Sequence, residues 1–337
     1  TGLGRRFSDI ESAIDVVRDV YLRSGISAIQ VTVPEQTLLD GEVRLRVSEL
    51  TVSRVEVSGA ANRSLTNIRR ALPPLSEGST PVDQDLSLAL RLANENPARQ
   101  MQVTFRAEGE GRLLGGVRVA DRSPWSGQAI IDNTGSESTG QWRVGMEVQH
   151  ANLLDRDIVA SVQIQTSPGH EQEVRIGSVS ARIPLYESGL MLDASTIHSS
   201  VDSGAVATAA GAYLLSSRGQ SQSLRVTKLL PRIRAWDHRI AAGYDIRLVD
   251  SRVRTTAGAE SLVPEIILKP VSVQYAGAWH EEGRSVTAQV SLSRNLPGGG
   301  RSAASVFQEP GLRRGANPHF SVLRLNAGIA APWMRGH

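Results

Sequence analysis

The second half of the chain alternates apolar and polar residues with a period of two. Trp142, Val144, Met146 and Val148 interleave with Arg143, Gly145, Glu147 and Gln149. Ile240, Ala242, Tyr244, Ile246 and Leu248 interleave with Arg239, Ala241, Gly243, Asp245 and Arg247. Val286, Ala288, Val290 and Leu292 interleave with Thr287, Gln289, Ser291 and Ser293. Successive side chains on a strand point to opposite faces, so each run is a strand with one apolar and one polar face. About ten such strands are predicted, near 126–134, 140–150, 157–166, 173–184, 188–199, 218–230, 236–249, 267–281, 284–294 and 319–331. A soluble sheet with its apolar face on a core fits the pattern, and so does a transmembrane barrel with its apolar face on lipid. The connections favour the barrel. Those at Asn152–Arg156, Tyr186–Ser188, Arg232–Ala235 and His280–Gly283 are short, whereas Val201–Ser217, Asp250–Ile266 and Asn295–Pro318 read as long loops. Short turns at one end and long connections at the other are the layout of an outer-membrane barrel.

The first part of the chain has a different rhythm. Ile10, Ile14, Val17, Val20 and Tyr21 recur at helical spacing, with Ser8 and Glu11 placed as a capping box and Gly25 as the stop. Extended runs follow at 29–33 and 42–47, on either side of Asp40-Gly41. From Leu50 a fuller module begins. Val52, Val55 and Val57 mark a strand, and 62–72 a helix ended by Pro73-Pro74. A second helix over 82–94 carries Leu86, Leu88, Leu90 and Leu92. Strands at 101–107 and 116–121 then flank a glycine-rich turn, giving the order β-α-α-β-β. These shifts predict three regions: 1–49, 50–122 and 123–337.

Composition narrows the chemistry. Apolar residues make up 40% and charged residues 21%, which suits a folded chain rather than a disordered one. Aromatic residues are only 4%, low for a barrel with interfacial girdles. The formal net charge of +3 is spread along the chain and carried almost entirely by arginine, too weak a field for nucleic acid. There is no cysteine, hence no thiolate metal site, and no apolar run of about 18 residues that would form a membrane helix. The seven histidines are scattered, without His-x-His or His-Glu-x-x-His. Gly109-x-Gly111-x-x-x-Gly115 is one residue too long for a dinucleotide loop and precedes no helix, so it reads as a strand-joining turn. Gly298-Gly299-Gly300 lacks the Lys-Ser/Thr of a phosphate loop, and no Gly-x-Ser-x-Gly elbow occurs. Neither an enzyme nor a cofactor is expected.

Asp132-Asn133-x-Gly135-x-x-x-Thr139-Gly140-x-x-Arg143, followed by Asn152-Leu153-Leu154-x-x-Asp157, resembles the opening barrel hairpin of two-partner secretion transporters. These are outer-membrane proteins of the hemolysin secretion/activation family, within the Omp85 superfamily. Pro34-Glu35-Gln36-x-Leu38-x-x-Gly41 is similar to the strand-turn segment of that family's first POTRA domain. Asn94-Glu95-Asn96-Pro97-Ala98-Arg99-Gln100 is similar to the helix end of its second, and Leu229-Leu230-Pro231-Arg232 to a mid-barrel turn. The resemblance implies α+β POTRA-like domains followed by an antiparallel transmembrane β-barrel, here incomplete, with about ten of the family's sixteen strands. It implies periplasmic POTRA domains that recognise the N-terminal secretion domain of a hemolysin- or adhesin-type exoprotein, and a barrel pore in the bacterial outer membrane that passes it outward. The implied partners are that exoprotein and outer-membrane lipid, with no nucleic acid. The family's signal, plug helix, first POTRA strand and Val-Arg-Gly-aromatic loop have no counterpart here, Met334-Arg335-Gly336-His337 included, so a fragment truncated at both ends is expected. The alternatives are an Omp85-type assembly factor and, from another class, a soluble all-β adhesin or binding module.

Three groups of residues are candidates for function. Arg143, Glu147, Gln163, Gln165, Arg175, Arg239, Asp245, Arg247 and Arg324 fall on polar strand positions and would line a hydrated pore, or else the wet face of a soluble sheet. Met101, Val103 and Phe105 on an edge strand, beside Leu86 and Leu90, would capture an extended client by strand addition; the bland reading is a structural module. The turn Arg232–Arg234 with Trp236 would anchor at the periplasmic interface, or is merely exposed.

Overall fold

The computed structural model describes residues 7–36, 42–109, 111–208, 211–255, 261–281 and 283–331. The chain divides into two compact units, Thr1–Ser123 with Tyr186–Gly189, and Pro124–Leu185 with Leu190–His337. Leu38 and Gly41 of the expected strand-turn segment, and the terminal Met334–His337, lie outside the described residues.

In the first unit, helix α1 (Phe7–Arg23) precedes an antiparallel pair, β1 (Ile29–Thr32) and β2 (Arg46–Glu49). Ser8 therefore stands inside the helix rather than capping it. A three-stranded sheet follows, built from β3 (Thr51–Ser58), β4 (Arg99–Ala107) and β5 (Arg112–Asp121) in the order β3-β5-β4. The β5 strand starts four residues earlier than alternation predicts, at Arg112 rather than Gly116, because Leu113 and Leu114 are both buried and mask the period of two. It runs parallel to β3 and antiparallel to β4. Helices α2 (Leu65–Ala71) and α3 (Asp83–Ala93) connect β3 to β4. Ser64 caps α2 by accepting from the Asn67 N–H at 3.1 Å. The core joins Val52 of β3, Ile68 of α2, Leu86 and Leu92 of α3, Met101 of β4 and Val117 of β5, all buried. Each such side chain contributes about 1.5–3 kcal/mol by leaving water.

Two buried arginines tie this unit together. Asp121, at the end of β5, pairs with Arg63 and also accepts from the backbone N–H groups of Ala61 and Asn62, at 3.0 and 2.7 Å. Arg99 donates to Asn67 Oδ1 at 3.2 Å, to the Ala93 carbonyl at 2.8 Å and to the Tyr186 hydroxyl at 2.9 Å. A buried guanidinium needs acceptors of this kind, and in Arg99 they hold both Nη groups while Nε has none.

The second unit is one antiparallel meander. Its strands are β6 (Trp125–Asp132), β7 (Arg143–Leu153), β8 (Ile158–Thr166), β9 (Val174–Leu185), β10 (Leu190–Thr208), β11 (Gly211–Leu229) and β12 (Trp236–Thr255), then β13 (Ile266–Leu268), β14 (Pro270–Glu281), β15 (Arg284–Asn295) and β16 (Ser321–Ala330). Each of the long strands pairs with its neighbours in sequence, and the short β13 pairs with β12 beside β14. The single strand expected over 267–281 is thus broken at Lys269, whose N–H donates to Asn295 Oδ1 at 2.7 Å instead of to the ladder.

The long connections need a further correction. Residues 201–208 and 211–217 are not loop: the β10–β11 ladder continues without a break in pairing to Thr208↔Gly211, apart from a bulge between Asp202 and Gly204. Likewise β12 runs on to Thr255 against β11. Backbone groups make the ladder whatever the side chains are, so it outlasts the apolar alternation that reveals it in sequence. Among the described residues, only 296–320 forms a long irregular connection, with two short 3-10 turns.

The registers also set the slant of the sheet. A hydrogen-bonded row starts at Trp125, the first residue of β6, and passes through His150, Ala160, Ala181, Ala194, Leu224, Tyr244 and Val271 to Arg294, next to last in β15. It thus climbs from the short-turn end to the long-hairpin end. Strands inclined to the rows in this way are what closure into a barrel requires.

Candidate functional site

Following the register from strand to strand separates two faces. One carries Ile131, Met146, Val148, Val162, Ile164, Val179, Leu192, Leu224, Ile240, Val273, Val290, Leu323 and Leu325. Many of these are openly exposed, with Ile131 at 67%, Ile164 at 60% and Leu325 at 69%. A continuous apolar face of this extent is far beyond the few hundred Å² that soluble monomers leave uncovered.

The opposite face is polar. It holds Arg143, Glu147, Gln163, Gln165, Arg239, Asp245, Arg247 and Arg324, all at register positions of one parity. Charges here are mixed and locally matched. Asp245 accepts from Arg247 and from the Ser223 hydroxyl, both at 2.6 Å. Glu147 accepts from the Gln128 amide at 2.8 Å, and Arg182 pairs with Asp193 at 2.7 Å. Arg175 does not belong with them. It pairs with Thr166 and Ser200, which puts it on the apolar face's parity, in the row that holds Ile131 and Val144. Its flanking residues mislead in sequence: Val174 and Ile176 continue the inward parity, and Val174 is fully buried there.

The Asp-Asn…Thr-Gly…Arg motif forms a clamp over the first hairpin. Arg143 Nη1 donates to the carbonyls of Thr139, Gly140 and Trp142 at 3.0, 2.8 and 3.3 Å, and Nη2 to Thr139 Oγ1 at 2.8 Å. The guanidinium is thereby committed to its own turn. Thr139 is only 3% exposed, and Asp132 accepts from the Thr134 N–H at 3.0 Å. Gly140 has φ 76°, and a Cβ there would land on Ser167 Oγ and 2.8 Å from the His170 ring. A Cβ on Gly135 would land on the Gly140 carbonyl. Ser167, fully buried, donates to the Trp142 carbonyl at 2.7 Å and locks the clamp to the next connection. Sequence reasoning missed Ser167, since its partner lies 25 residues away.

The second half of the motif shapes a short turn. Leu154, Asp155 and Asp157 all take positive φ, at 58°, 53° and 58°. Asn152 holds this turn by accepting from the Asp157 N–H at 3.0 Å and donating to Asp155 Oδ1 at 3.1 Å. Asp157 is buried at 1% exposure.

At the same, short-turn end, aromatic residues gather on the apolar face. Trp236 pairs with Trp279, and Trp125 with His150. Trp236 Nε1 donates to the Tyr275 hydroxyl at 3.0 Å, and that hydroxyl lies 3.2 Å from His238 Nδ1. His238 Nε2 lies 2.8 Å from the Pro231 carbonyl, which can only accept, so Nε2 carries the proton and Nδ1 accepts from Tyr275. Arg232 Nε and Nη2 each donate to Asp237 at 2.6 Å. Four of the chain's aromatics, Trp125, Trp236, Trp279 and Tyr275, thus stand where a membrane interface would place them.

In the first unit, β4 is an edge strand of its sheet. Met101 is 1% exposed and belongs to the core, Val103 is half-buried and Phe105 is 40% exposed. Leu86 is buried and Leu90 half-buried on α3, which packs on β4. Among the described residues, no group of His, Asp or Glu is placed to hold a metal ion.

Residues 116–257 match the family described as haemolysin secretion/activation protein ShlB/FhaC/HecB. No curated protein is similar to the chain in sequence at a significant level. Among solved structures the chain is similar to CdiB from Escherichia coli, with a TM-score of 0.80 and 17% identity over 96% of this chain and 59% of that one. It is also similar to CdiB from Acinetobacter baumannii, with a TM-score of 0.63 and 14% identity over 88% of this chain and 60% of that one. The chain therefore spans less than two thirds of either protein, and at these identities the likeness is one of fold.

Proposed function

We propose that the protein is an outer-membrane β-barrel transporter of two-partner secretion, the role of the haemolysin secretion/activation family that residues 116–257 match, and that it secretes a large exoprotein. The observation that carries this reading is the two-faced meander, with one exposed apolar face and one polar face of mixed, paired charge. Lipid covers the first face. The second offers an unfolded polypeptide hydrogen-bonding groups of both signs without a strong field to hold it. Short turns with their aromatic cluster lie on the periplasmic side, and the tall β10–β12 hairpins outside the cell. The β-α-α-β-β module is read as a periplasmic POTRA domain over 50–122, with residues 1–49 as part of another and 123–337 in the barrel.

Client capture is assigned to β4. Past Met101, whose N–H and carbonyl are held by Asn94 at 2.7 and 3.0 Å, its open edge runs beside Val103, Phe105 and the α3 residues Leu86 and Leu90, so an extended segment can add there as a further strand. Adjacent residues of a strand direct their N–H groups to opposite sides. Proline placed in turn at Gln102 and at Val103 therefore removes one N–H from the ladder and one from the open edge. Binding is measured against the N-terminal domain of whatever large secreted protein is encoded beside this one. The expected result is that the edge-facing proline abolishes saturable binding while the protein stays folded. Binding unaffected by either proline rules out capture at β4. Absence of heat-modifiable migration for the protein folded in detergent rules out the barrel itself.

A further inference from the structure

The apolar face holds a hollow of about 460 Å³, within the ~300–1,000 Å³ typical of small-molecule sites. Gly177, with no side chain, forms its floor, and Val144, Met146 and Ile164 form one wall. Arg175 and His198 close the other side. The registers show where this lies. One hydrogen-bonded row runs Met146–Ile164–Gly177–His198–Gln220–Leu248, and the next row outward runs Val144–Thr166–Arg175–Ser200–Arg218–Asp250. Because rows climb toward the long-hairpin end, His198, Gln220 and Arg218 stand where the apolar belt gives way to polar residues. The hollow sits just beneath that boundary.

Arg175 and Arg218 supply basic charge at the rim, with Asp250 opposite Arg218 in the same row. Arg175 and Arg218 occupy one row two strands apart, about 10 Å by strand spacing, and both are exposed. The Arg175 Nε donates to the Glu171 carbonyl at 3.1 Å, which fixes the stem and leaves the far end of the fork directed elsewhere. Nearby carboxylates are already engaged. Asp250 is held by Arg252, with Nε at 3.1 and 2.9 Å and Nη2 at 2.8 Å, and Asp202 accepts from the Gly204 N–H at 2.9 Å. A solvated strand end does not need an apolar trough below it, and a plain lipid contact does not need two guanidinium groups above it. A molecule with both an acyl chain and an anionic head satisfies both.

We propose that this hollow binds a phosphorylated acyl lipid of the outer leaflet, its chain lying over Gly177 and its phosphate bridged by Arg175 and Arg218. His198 and Gln220 supply hydrogen bonds to the head group. The proposal rests on the reading of the sheet as a membrane barrel with its long hairpins outside. Bound at that level, the lipid would fix the sheet at the root of the tall β10–β11 hairpin.

The test uses the protein folded into phosphatidylcholine vesicles containing a trace of phosphatidic acid with a diazirine in its acyl chain. A matching phosphatidylcholine probe serves in parallel, and cross-linked residues are mapped by mass spectrometry. Labelling by the anionic probe is expected to concentrate on 144–146, 164 and 176–177. Replacing both arginines, R175Q with R218Q, should lower it by about tenfold or more, since each basic side chain near an anionic lipid is worth about a factor of five. Gly177→Leu, which fills the trough but keeps the arginines, should lower it as well, and neither change should alter labelling by the neutral probe. Heat-modifiable migration of each variant establishes that it has folded. Equal labelling by both probes around the whole apolar face overturns the lipid site and leaves the barrel standing. Cross-links from the hollow to a second copy of the protein overturn it in favour of self-association. Labelling confined to residues outside the apolar face removes the membrane reading, and the site with it.

Discussion

At the scale of the residue, the motif positions turn out to do structural work at close range. Arg143 was a candidate for the pore wall, yet its fork is spent on three carbonyls and a threonine hydroxyl of its own turn. Lysine keeps the charge but not the fork, so Arg143→Lys is expected to destabilise the hairpin by about 1.5–3 kcal/mol, as for a lost charged hydrogen bond. A lowered temperature of heat-modifiable migration would register it; an unchanged one would show that the clamp contributes nothing. Gly140→Ala should be worse, because it adds strain at positive φ to a collision with Ser167. A pH effect belongs to the neighbouring connection. The Gly169 N–H, 2.8 Å from Glu171, together with the residue's own N–H, holds the Glu171 carboxyl below its ordinary value. A depressed carboxylate stabilises the fold above its unfolded pKa, and that contribution fades as pH falls through the folded value. The Gly169 amide resonance should therefore shift at a pH below the ordinary glutamate range, and Glu171→Gln should abolish the shift.

Elements show where local periodicity stops being informative. Alternation located the lower parts of β10, β11 and β12, but read 201–217 and 250–266 as loops because apolar residues thin out there. The ladder continues regardless, to Thr208↔Gly211 and to Tyr213↔Thr255. Trypsin distinguishes the two. In the folded protein, cleavage should begin at Arg313 and Arg314, exposed in the long irregular connection, well before Arg218 or Arg252, whose backbones are paired. Equal rates at these four sites would mean that the upper ladder does not form in solution. The short strand β13 has the opposite history: a continuous apolar signal over 266–268 conceals a break at Lys269 that only the competing Asn295 side chain creates.

For the whole molecule, the two faces make opposite predictions for a single charge. Ile164→Arg on the apolar face should cost about 2–4 kcal/mol if that residue lies near the bilayer midplane, less toward an interface. Glu147→Arg, in the adjacent row on the polar face, should barely alter folding into vesicles. Equal tolerance of both would point to a sheet that never meets lipid. The pattern of two and the unequal ends were legible in the residues, and so was the hairpin motif that resembles the secretion family. The motif's spacing also carried the turn geometry, since glycine at positive φ and Asn152 closing a turn are local demands that a sequence must meet locally. Other features needed the assembled sheet. Which face Arg175 takes depends on register with β8 and β10, because a strand's own alternation says that neighbours differ but not which of them faces lipid. The burial of Ser167, the continuation of the upper ladder and the hollow over Gly177 are likewise products of pairing between segments distant in sequence. Side-chain periodicity is written by the solvent on each face of a strand, whereas register and hydrogen bonding are settled between strands, and only the tertiary structure brings those together.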